Sequence, residues 1–590
     1  MKIVLFIITC FFTIALNAQA NDWQDKIDAS LWKKAEGGQD ADFIIVLQQQ
    51  ADLADARLLQ TKEEKGEYVF NTLRTMAQQS QKPILQILQD KQAQHESFFI
   101  INAIHVIGDK NMMRLLAERA DVAYIADNPN IPLQRPTVES DDEVLSFRNA
   151  IEWGIQKIGA DQVWALGYTG QGVVVGGQDT GYEWTHPLIQ PKYRGWNGST
   201  ADHNYNWHDA IHTISPVHRD SIPSPSLNPC GLDAKMPCDD NSHGTHTMGT
   251  MVGDDGAGNQ TGVAPGARWI GVRNMERGYG SPATYIEGFQ WFIAPTDLSN
   301  KNPDSKKAPH VVNNSWGCPP LEGCNTSNFA MMNTVVNNVR AAGIVVVVSA
   351  GNSGSQCSTV SDPAAIFEGS FSVGASRQND TIAGFSSRGP VLADNSGRLK
   401  PNVVAPGVGV RSAVRGGGYQ SWNGTSMAGP HVAGLVALII SANPKLAGQV
   451  ETIETLIEQT AKLMQTTENC GGVSGLLIPN NTYGYGRIDA LAAVQRALQL
   501  TTDTNDLAGK IKITVSPNPF ETEVLFKIEG VSGATELALF NASGQLIGQV
   551  KWEAQLVSLQ PLNLNNLPSG IYFYRLKNGE AVTSGKIVKR

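Results

Sequence analysis

The chain has 590 residues, too many for one ordinary hydrophobic core, so two to four domains are expected. Hydrophobic residues make up 41% and charged residues 17%, which excludes a disordered chain. A net charge of −9 argues against a nucleic-acid partner, because phosphate binding needs concentrated Lys and Arg.

Residues 1–20 read as an export signal. Lys2 supplies a positive start, Ile3 to Leu16 is a short apolar run, and Ala18-Gln19-Ala20 fits a small-x-small cleavage site. The run is short for a membrane span and no later stretch reaches that length, so a soluble, exported mature protein is expected. Removing the signal takes away Cys10 and leaves six of the seven cysteines, an even number suited to an oxidising compartment. Two local pairs suggest themselves, Cys230 with Cys238 and Cys318 with Cys324. Cys357 and Cys470 would then close a long loop, although six cysteines allow other connectivities.

Asp42 to Leu47 predicts a strand, the stretch to about Asp90 a helix, and Phe98 to Ile107 a strand. Lys110 to Arg119 follows as helix and Val122 to Ile125 as strand, so the order describes a compact α+β unit. Pro129, Pro132 and Pro136, then the acidic stretch Glu139 to Glu143, read as an exposed connector. From about Ile151 to Leu500 the texture changes. Apolar runs at 173–176 and 344–348 predict strands buried on both faces, as in a parallel sheet. Helices expected at 328–342 and 426–441 alternate with them, which describes an α/β domain whose sites gather at the carboxyl ends of strands. Residues 501–510 form a polar linker. Beyond it, short alternating runs at 523–528, 536–540 and 571–576, separated by turn signals, predict a small β-sandwich over 511–590.

Three segments carry the parts of a serine acyl-transfer site, which needs a nucleophile, a base, a carboxylate to orient the base, and oxyanion donors. Gln178-Asp179-Thr180-Gly181 places a carboxylate at the end of a buried strand. Asn241-Ser242-His243-Gly244-Thr245-His246 opens a helix, and Gly424-Thr425-Ser426-Met427-Ala428-Gly429-Pro430-His431 sets a serine at another helix start, where free amides favour negative charge. Each piece alone is weak. Asp-Thr-Gly also occurs in aspartic proteases, but a second matching half is absent. The order Asp, His, Ser is that of subtilisin.

With these motifs in view, residues 149–500 resemble a subtilase catalytic domain. Ser349-Ala350-Gly351-Asn352 is similar to the family segment whose asparagine donates to the oxyanion, which makes Asn352 the candidate donor beside the Ser426 backbone N–H. Asn313-Asn314-Ser315-Trp316-Gly317 and Glu152-Trp153-Gly154-Ile155 most resemble the bacillopeptidase F-like branch. The resemblance implies a secreted serine endopeptidase with Asp179, His243 and Ser426 as its triad and no cofactor for the chemistry. It also implies a first specificity pocket flanked by Ser315, Trp316, Gly317, Ala350 and Gly351. Gly278 and Gly280 would form an edge for an extended substrate backbone. Trp316 reads equally as core packing.

Calcium commonly stabilises subtilases, yet no ligand loop is specific enough to assign. His203, His208, His212 and His218, with Asp202, Asp209 and Asp220, read as a solvated insertion rather than a metal site. His186, His246 and His431 read as structural. Residues 21–148, with a core at about 42–133, resemble the inhibitor-type propeptide of subtilases; a permanent accessory domain is the alternative. Cleavage would fall between Arg135 and Glu152. Residues 511–590 resemble the sorting domain of the type IX secretion system through Val515-Ser516-Pro517-Asn518-Pro519-Phe520 and Pro568-Ser569-Gly570-Ile571-Tyr572. A carbohydrate-binding module is the alternative there. The partners implied are protein substrates, the chain's own propeptide and the secretion machinery. Either broad digestion or narrow processing of one partner fits the sequence.

Overall fold

The computed structural model describes residues 23–38, 40–134, 137–138, 150–218, 228–317, 324–503, 512–529, 533–541, 545–554, 557–578 and 581–590. The export signal, the acidic connector, Cys318, Asp220 and the linker after Asp503 lie outside them. The chain forms two compact units, one reaching to Ala493 and one from Val494 onward.

The first unit begins with four strands, β1 (Ala41–Leu47), β2 (Gln94–Phe98), β3 (Ala103–Gly108) and β4 (Val122–Asp127), in the antiparallel order β2-β3-β1-β4. Their side chains alternate between two cores. Phe43, Ile45 and Leu47 pack with Leu31, Ile84, Leu88 and Met113, whereas Ile44 and Val46 join a core reaching into the following domain. That double burial is why β1 reads as a continuous apolar run.

Two expectations need correction here. The helix running to Asp90 is broken in two, α1 (Lys62–Ser80) and α2 (Lys82–Asp90), because Pro83 sits in the first turn of the second. The strand expected over 98–107 is a hairpin whose turn carries Ile100 and Ile101. These residues are apolar because the turn docks: the Phe99 and Ile100 N–H groups both donate to Gln290 Oε1, and Asn338 Nδ2 donates to Ile100 O. Two short segments follow, β5 (Ile131–Pro132) and β6 (Thr137–Val138).

The rest of the unit is built on seven parallel strands: β7 (Val174–Asp179), β8 (Trp207–Asp209), β9 (Arg268–Arg273), β11 (Val311–Asn314), β12 (Val345–Ser349), β13 (Phe371–Ser376) and β14 (Val403–Pro406). Their order is β14-β13-β12-β11-β7-β9-β8. The hairpin-like segment β10 (Tyr279–Gly280) lies outside this sheet and pairs with β5. Helices α3 (His243–Val252), α4 (Pro282–Ile293), α5 (Thr326–Ala341) and α6 (Thr425–Ala442) surround the sheet. Val345 to Val348 are all buried, as an interior parallel strand requires. Helix α6 is long and apolar enough to cross a membrane, but it is packed inside the unit throughout. Disulfides join Cys230 to Cys238 and Cys357 to Cys470 as expected. Cys324 is also disulfide-bonded.

The second unit holds two antiparallel sheets, one of three strands and one of four. Val524, Phe526 and Ile528 point into the core with Leu537, Leu539 and Tyr574, while Leu525 between them is exposed. This is the period-two pattern of a sandwich face. Lys512–Ser516, Leu546–Ala554, Val557–Asn563 and Ala581–Lys589 are strands in addition to the three expected.

Candidate active site

Asp179 ends β7 at its carboxyl edge, where the buried strand delivers a carboxylate into the interior. His243 Nδ1 donates to Asp179 Oδ1 at 2.7 Å, and the Thr180 N–H donates to the same oxygen at 2.7 Å. Both side chains are buried, 1% and 0% exposed. The imidazole is placed by the start of α3, and Asp239 builds that start. Its carboxylate accepts from Asn241 N, Ser242 N, Thr245 N, Thr245 Oγ1 and Thr180 Oγ1, at 2.6–3.0 Å. A side chain at Gly244 would meet Gly181 O at 2.0 Å, and one at Gly181, whose φ is +105°, would meet Cys238 O at 1.8 Å, so close backbone approach requires both glycines.

The stretch at 239–246 thus holds a residue that motif reading passed over. Asp239 lies ahead of the N-cap Ser242, whose own side chain makes no cap bond, and its carboxylate takes the Thr245 N–H in place of one.

Ser426 is the second residue of α6. Its Oγ donates to Ser315 O at 3.4 Å, and Ser315 Oγ donates to Ser426 O at 3.3 Å. Asn352 lies beyond the end of β12. Its Oδ1 accepts from Thr425 N at 2.9 Å and Thr425 Oγ1 at 3.0 Å, which commits the oxygen and leaves the amide nitrogen as the free donor end. His243 Nε2 is buried without a hydrogen-bond partner among the described residues, so no bond joins it to Ser426 Oγ. The arrangement is two bonded pairs, Asp179 with His243 and Ser426 with Ser315. Catalytic contacts of this kind often tighten only with substrate bound.

The second histidine of the motif is kept out of the chemistry. His246 stacks on Trp422 at 4.5 Å between ring centroids, and its Nε2 lies 3.1 Å from both Val410 O and Gln420 O. Burial holds its pKa down at about 3, so it stays neutral. His431 is lowered to about 4 for the same reason, with Nδ1 against Met427 O. His186 Nε2 meets Gly418 O.

A pocket opens beside Ser426, walled by Ser315, Trp316, Gly317, Gly351, Asn352 and Asp362. Ala350 is buried and does not reach its surface. Trp316 serves both readings: it lines the pocket, yet it is 6% exposed and stacks on Tyr285 at 3.7 Å between centroids. Pro132, Leu133 and Gln134 of the N-terminal region close the pocket's mouth. They arrive there because β5 pairs antiparallel with β10, Pro132 opposite Tyr279 and Ile131 opposite Gly280. The Leu133 N–H also donates to Gly278 O at 2.7 Å. Further along, Thr137 and Val138 pair with Asn423 and Trp422, just ahead of Ser426 in the chain.

The histidine insertion is less solvated than expected. His208 is 8% exposed and its Nε2 lies 2.6 Å from Glu287 Oε1. His212 reaches both oxygens of Glu287 and, through Nδ1, Asp233. His218 pairs with Glu276, and His203 with the Tyr193 hydroxyl. His208, His212 and His218 are drawn in by the buried carboxylates of Glu287 and Glu276, which loop composition does not show. Glu96, His212 and Glu287 place three possible ligand atoms within 4.8 Å of one another, the one such group among the described residues. A set with an imidazole nitrogen does not suit calcium, which takes oxygen ligands, and Glu287 is already engaged by two imidazoles.

The subtilase family model matches residues 170–486, and a secretion-system C-terminal sorting domain matches residues 514–590. Bacillopeptidase F of Bacillus subtilis (strain 168) is 33% identical over 506 residues, 80% of this chain and 33% of that relative. Subtilisin E of the same organism is 30% identical over 381 residues, 64% of this chain and 81% of the relative. An alkaline protease of Alkalihalobacillus alcalophilus is 31% identical over 360 residues, 61% of this chain and 73% of the relative. This chain therefore spans about a third of bacillopeptidase F but most of the smaller proteases. It belongs to the subtilase family of serine-type peptidases and ends in a secretion-system sorting domain.

Proposed function

We propose that the protein is a secreted serine endopeptidase made as a zymogen, with Ser426 as nucleophile, His243 as its base and Asp179 as the orienting carboxylate. The observation that carries this reading is the buried 2.7 Å bond from His243 Nδ1 to Asp179. It fixes the proton on Nδ1 and leaves Nε2 as the basic nitrogen, the tautomer that general-base catalysis by histidine requires. His243 takes the Ser426 hydroxyl proton as Oγ attacks a peptide carbonyl, and returns it to the leaving amine. Water then repeats the sequence on the acyl-enzyme. Asn352 Nδ2 and the Ser426 backbone N–H hold the developing oxyanion, the former worth about 3 kcal/mol in sites of this type.

The zymogen reading rests on the segment 131–134, which lies along Gly278 to Gly280 as an added strand and ends over the pocket beside Ser426. An extended chain there occupies the track of a substrate backbone, the β-augmentation mode of peptide recognition. The N-terminal α+β region is then a propeptide that blocks the cleft with its own tail. Export through the N-terminal signal, and delivery to the surface or medium by a type IX route through residues 511–590, complete the proposal.

Labelling of the secreted, processed protein with a fluorophosphonate tests it. The parent is expected to label and Ser426→Ala to remain unlabelled while still folding. Labelling of Ser426→Ala at the parent level would reject the assignment.

A further inference from the structure

One acidic side chain in the pocket has no task in the mechanism above. Asp362 is 5% exposed, yet it belongs to the wall of the pocket that opens beside Ser426. Its Oδ1 has no hydrogen-bond partner among the described residues, and no lysine, arginine or histidine is paired with it. Burying a carboxylate without a partner is unfavourable, so a site that retains one is built for a partner that arrives from outside.

The surrounding backbone approaches the carboxylate closely at two glycines. A side chain at Gly317 would meet the Asp362 carboxyl carbon and Oδ2 at 2.8 Å, and one at Gly351 would meet Oδ2 at 3.1 Å. Glycine at both positions therefore lets the backbone pass close against the carboxylate without covering it with a side chain. Gln134, at the pocket mouth in the precursor, brings a neutral amide and no countercharge.

We propose that Asp362 makes this pocket a receptor for a lysine or arginine side chain immediately before the scissile bond, an inference that rests on Ser426 being the nucleophile. A substrate cation would supply the missing partner through a charge-assisted hydrogen bond. A large apolar side chain would instead strip the carboxylate of its remaining water and offer nothing in return. Burial pushes the Asp362 carboxyl up to about 7, and a bound cation would draw it back toward the ionised form.

The test uses the processed full-length enzyme and peptides that differ only in the residue before the scissile bond: arginine, lysine, citrulline and norleucine. Citrulline keeps the shape of arginine without its charge. Arginine and lysine substrates are expected to exceed citrulline and norleucine in kcat/KM by about 100-fold or more, approaching the roughly 10⁴-fold that a site built around a specific polar partner can reach. In Asp362→Asn that ratio is expected to fall to within about tenfold. Citrulline and norleucine cut within a few-fold of arginine by the parent would overturn the proposal, as would an undiminished ratio in Asp362→Asn. If the variant does not fold, the arginine–citrulline pair in the parent decides. Fluorophosphonate labelling of the same samples separates the two ideas. A labelled enzyme with a flat profile rejects the role of Asp362 alone, whereas an unlabelled, inactive enzyme rejects the nucleophile and this inference with it.

Discussion

Buried charge is handled in opposite ways at two places in the first unit. Around the start of α3, Asp179 and Asp239 are fully met, the latter by five donors. The buried carboxylate of the adjacent Asp240 is met less well, with a long contact to Arg273 Nη1 at 3.5 Å, and burial raises its pKa to about 7. At the seam between the N-terminal α+β region and the peptidase region, Glu287 is held by two imidazoles, but Lys62, Lys65 and Glu96 are sunk with little to answer them. Lys62 is 3% exposed and donates only to Ala308 O among the described residues, and Lys65 donates to Gly448 O. Glu96 on β2 faces Glu287 on α4 across the seam. The shape of the seam is good, since Ile44, Val69, Phe70, Ile100 and Ile101 share one core with Tyr285 and Phe289. Its electrostatics are not. A satisfied network suits a helix start that must hold its geometry, while an apolar seam with poorly matched charge is what the proposed release of the N-terminal region would require.

The largest effect is expected at Asp239. Asp239→Ala would strand three backbone N–H groups and two hydroxyls in a dry site, and is expected to destabilise the protein by about 3–5 kcal/mol. The turnover rate should fall with it, because the start of α3 aims His243. Thermal unfolding of the full chain together with kcat measures both. A melting temperature and kcat close to the parent's would mean that the five contacts are not what holds the imidazole.

Glu96→Gln sharpens the other side. Burial first, and the Glu287 charge second, raise the Glu96 pKa well above the carboxylate range, with Asp233 adding to this and His212 opposing it. The sign follows directly: an acid raised in the packed state weakens packing once pH exceeds its ordinary value, and the penalty disappears as pH falls. In the full-length Ser426→Ala chain, which the proposed mechanism leaves uncut, Glu96→Gln should raise stability by about 1–2 kcal/mol at pH 7.5 and by almost nothing at pH 4. The Glu287–His212 contact is the internal control. Glu287 is lowered to about 2 and His212 raised to about 10, so their contribution persists across both pH values. Equal effects of Glu96→Gln at the two pH values would show that Glu96 does not sense Glu287.

The same contrast explains what was legible in the sequence. Asp179, His243, Ser426 and Asn352 each lie in a contiguous motif, because each must sit at a strand end or helix start whose local geometry is written in its neighbours. The alternating strands of the sandwich and the all-valine interior of β12 were equally plain. Asp239 and Asp362 were not, since their meaning comes from donors, glycines and pocket walls supplied by distant segments. The turn at 99–102 was hidden for a related reason: its isoleucines obey the neighbouring domain, not the local loop. The three-residue strand β8 lies in the insertion, too short to show a period. Histidines there read as solvated because their partners, Glu276 and Glu287, come from elsewhere in the chain.

Lys62 provides the smallest and most discriminating test of the seam. Burial lowers its pKa from 10.5 to about 8, with Glu63 opposing and Arg194 adding to the shift. A base lowered in this way carries a penalty at pH values below about 8, where the charge is buried against its preference, and the penalty fades as pH rises toward its ordinary value. The precursor should therefore tighten between pH 7 and pH 10 through Lys62, the opposite direction to Glu96. Lys62→Met removes the buried charge but also the hydrogen bond to Ala308 O, so the two effects largely offset and a net gain of about 1 kcal/mol at pH 7 is expected. What identifies the mechanism is the slope. The Ser426→Ala precursor should gain seam stability from pH 7 to pH 10, read by hydrogen exchange of α1, and Lys62→Met should flatten that gain. A slope unchanged by the substitution would mean that the ammonium keeps its water in the precursor, and that the seam is held as evenly as the site it covers.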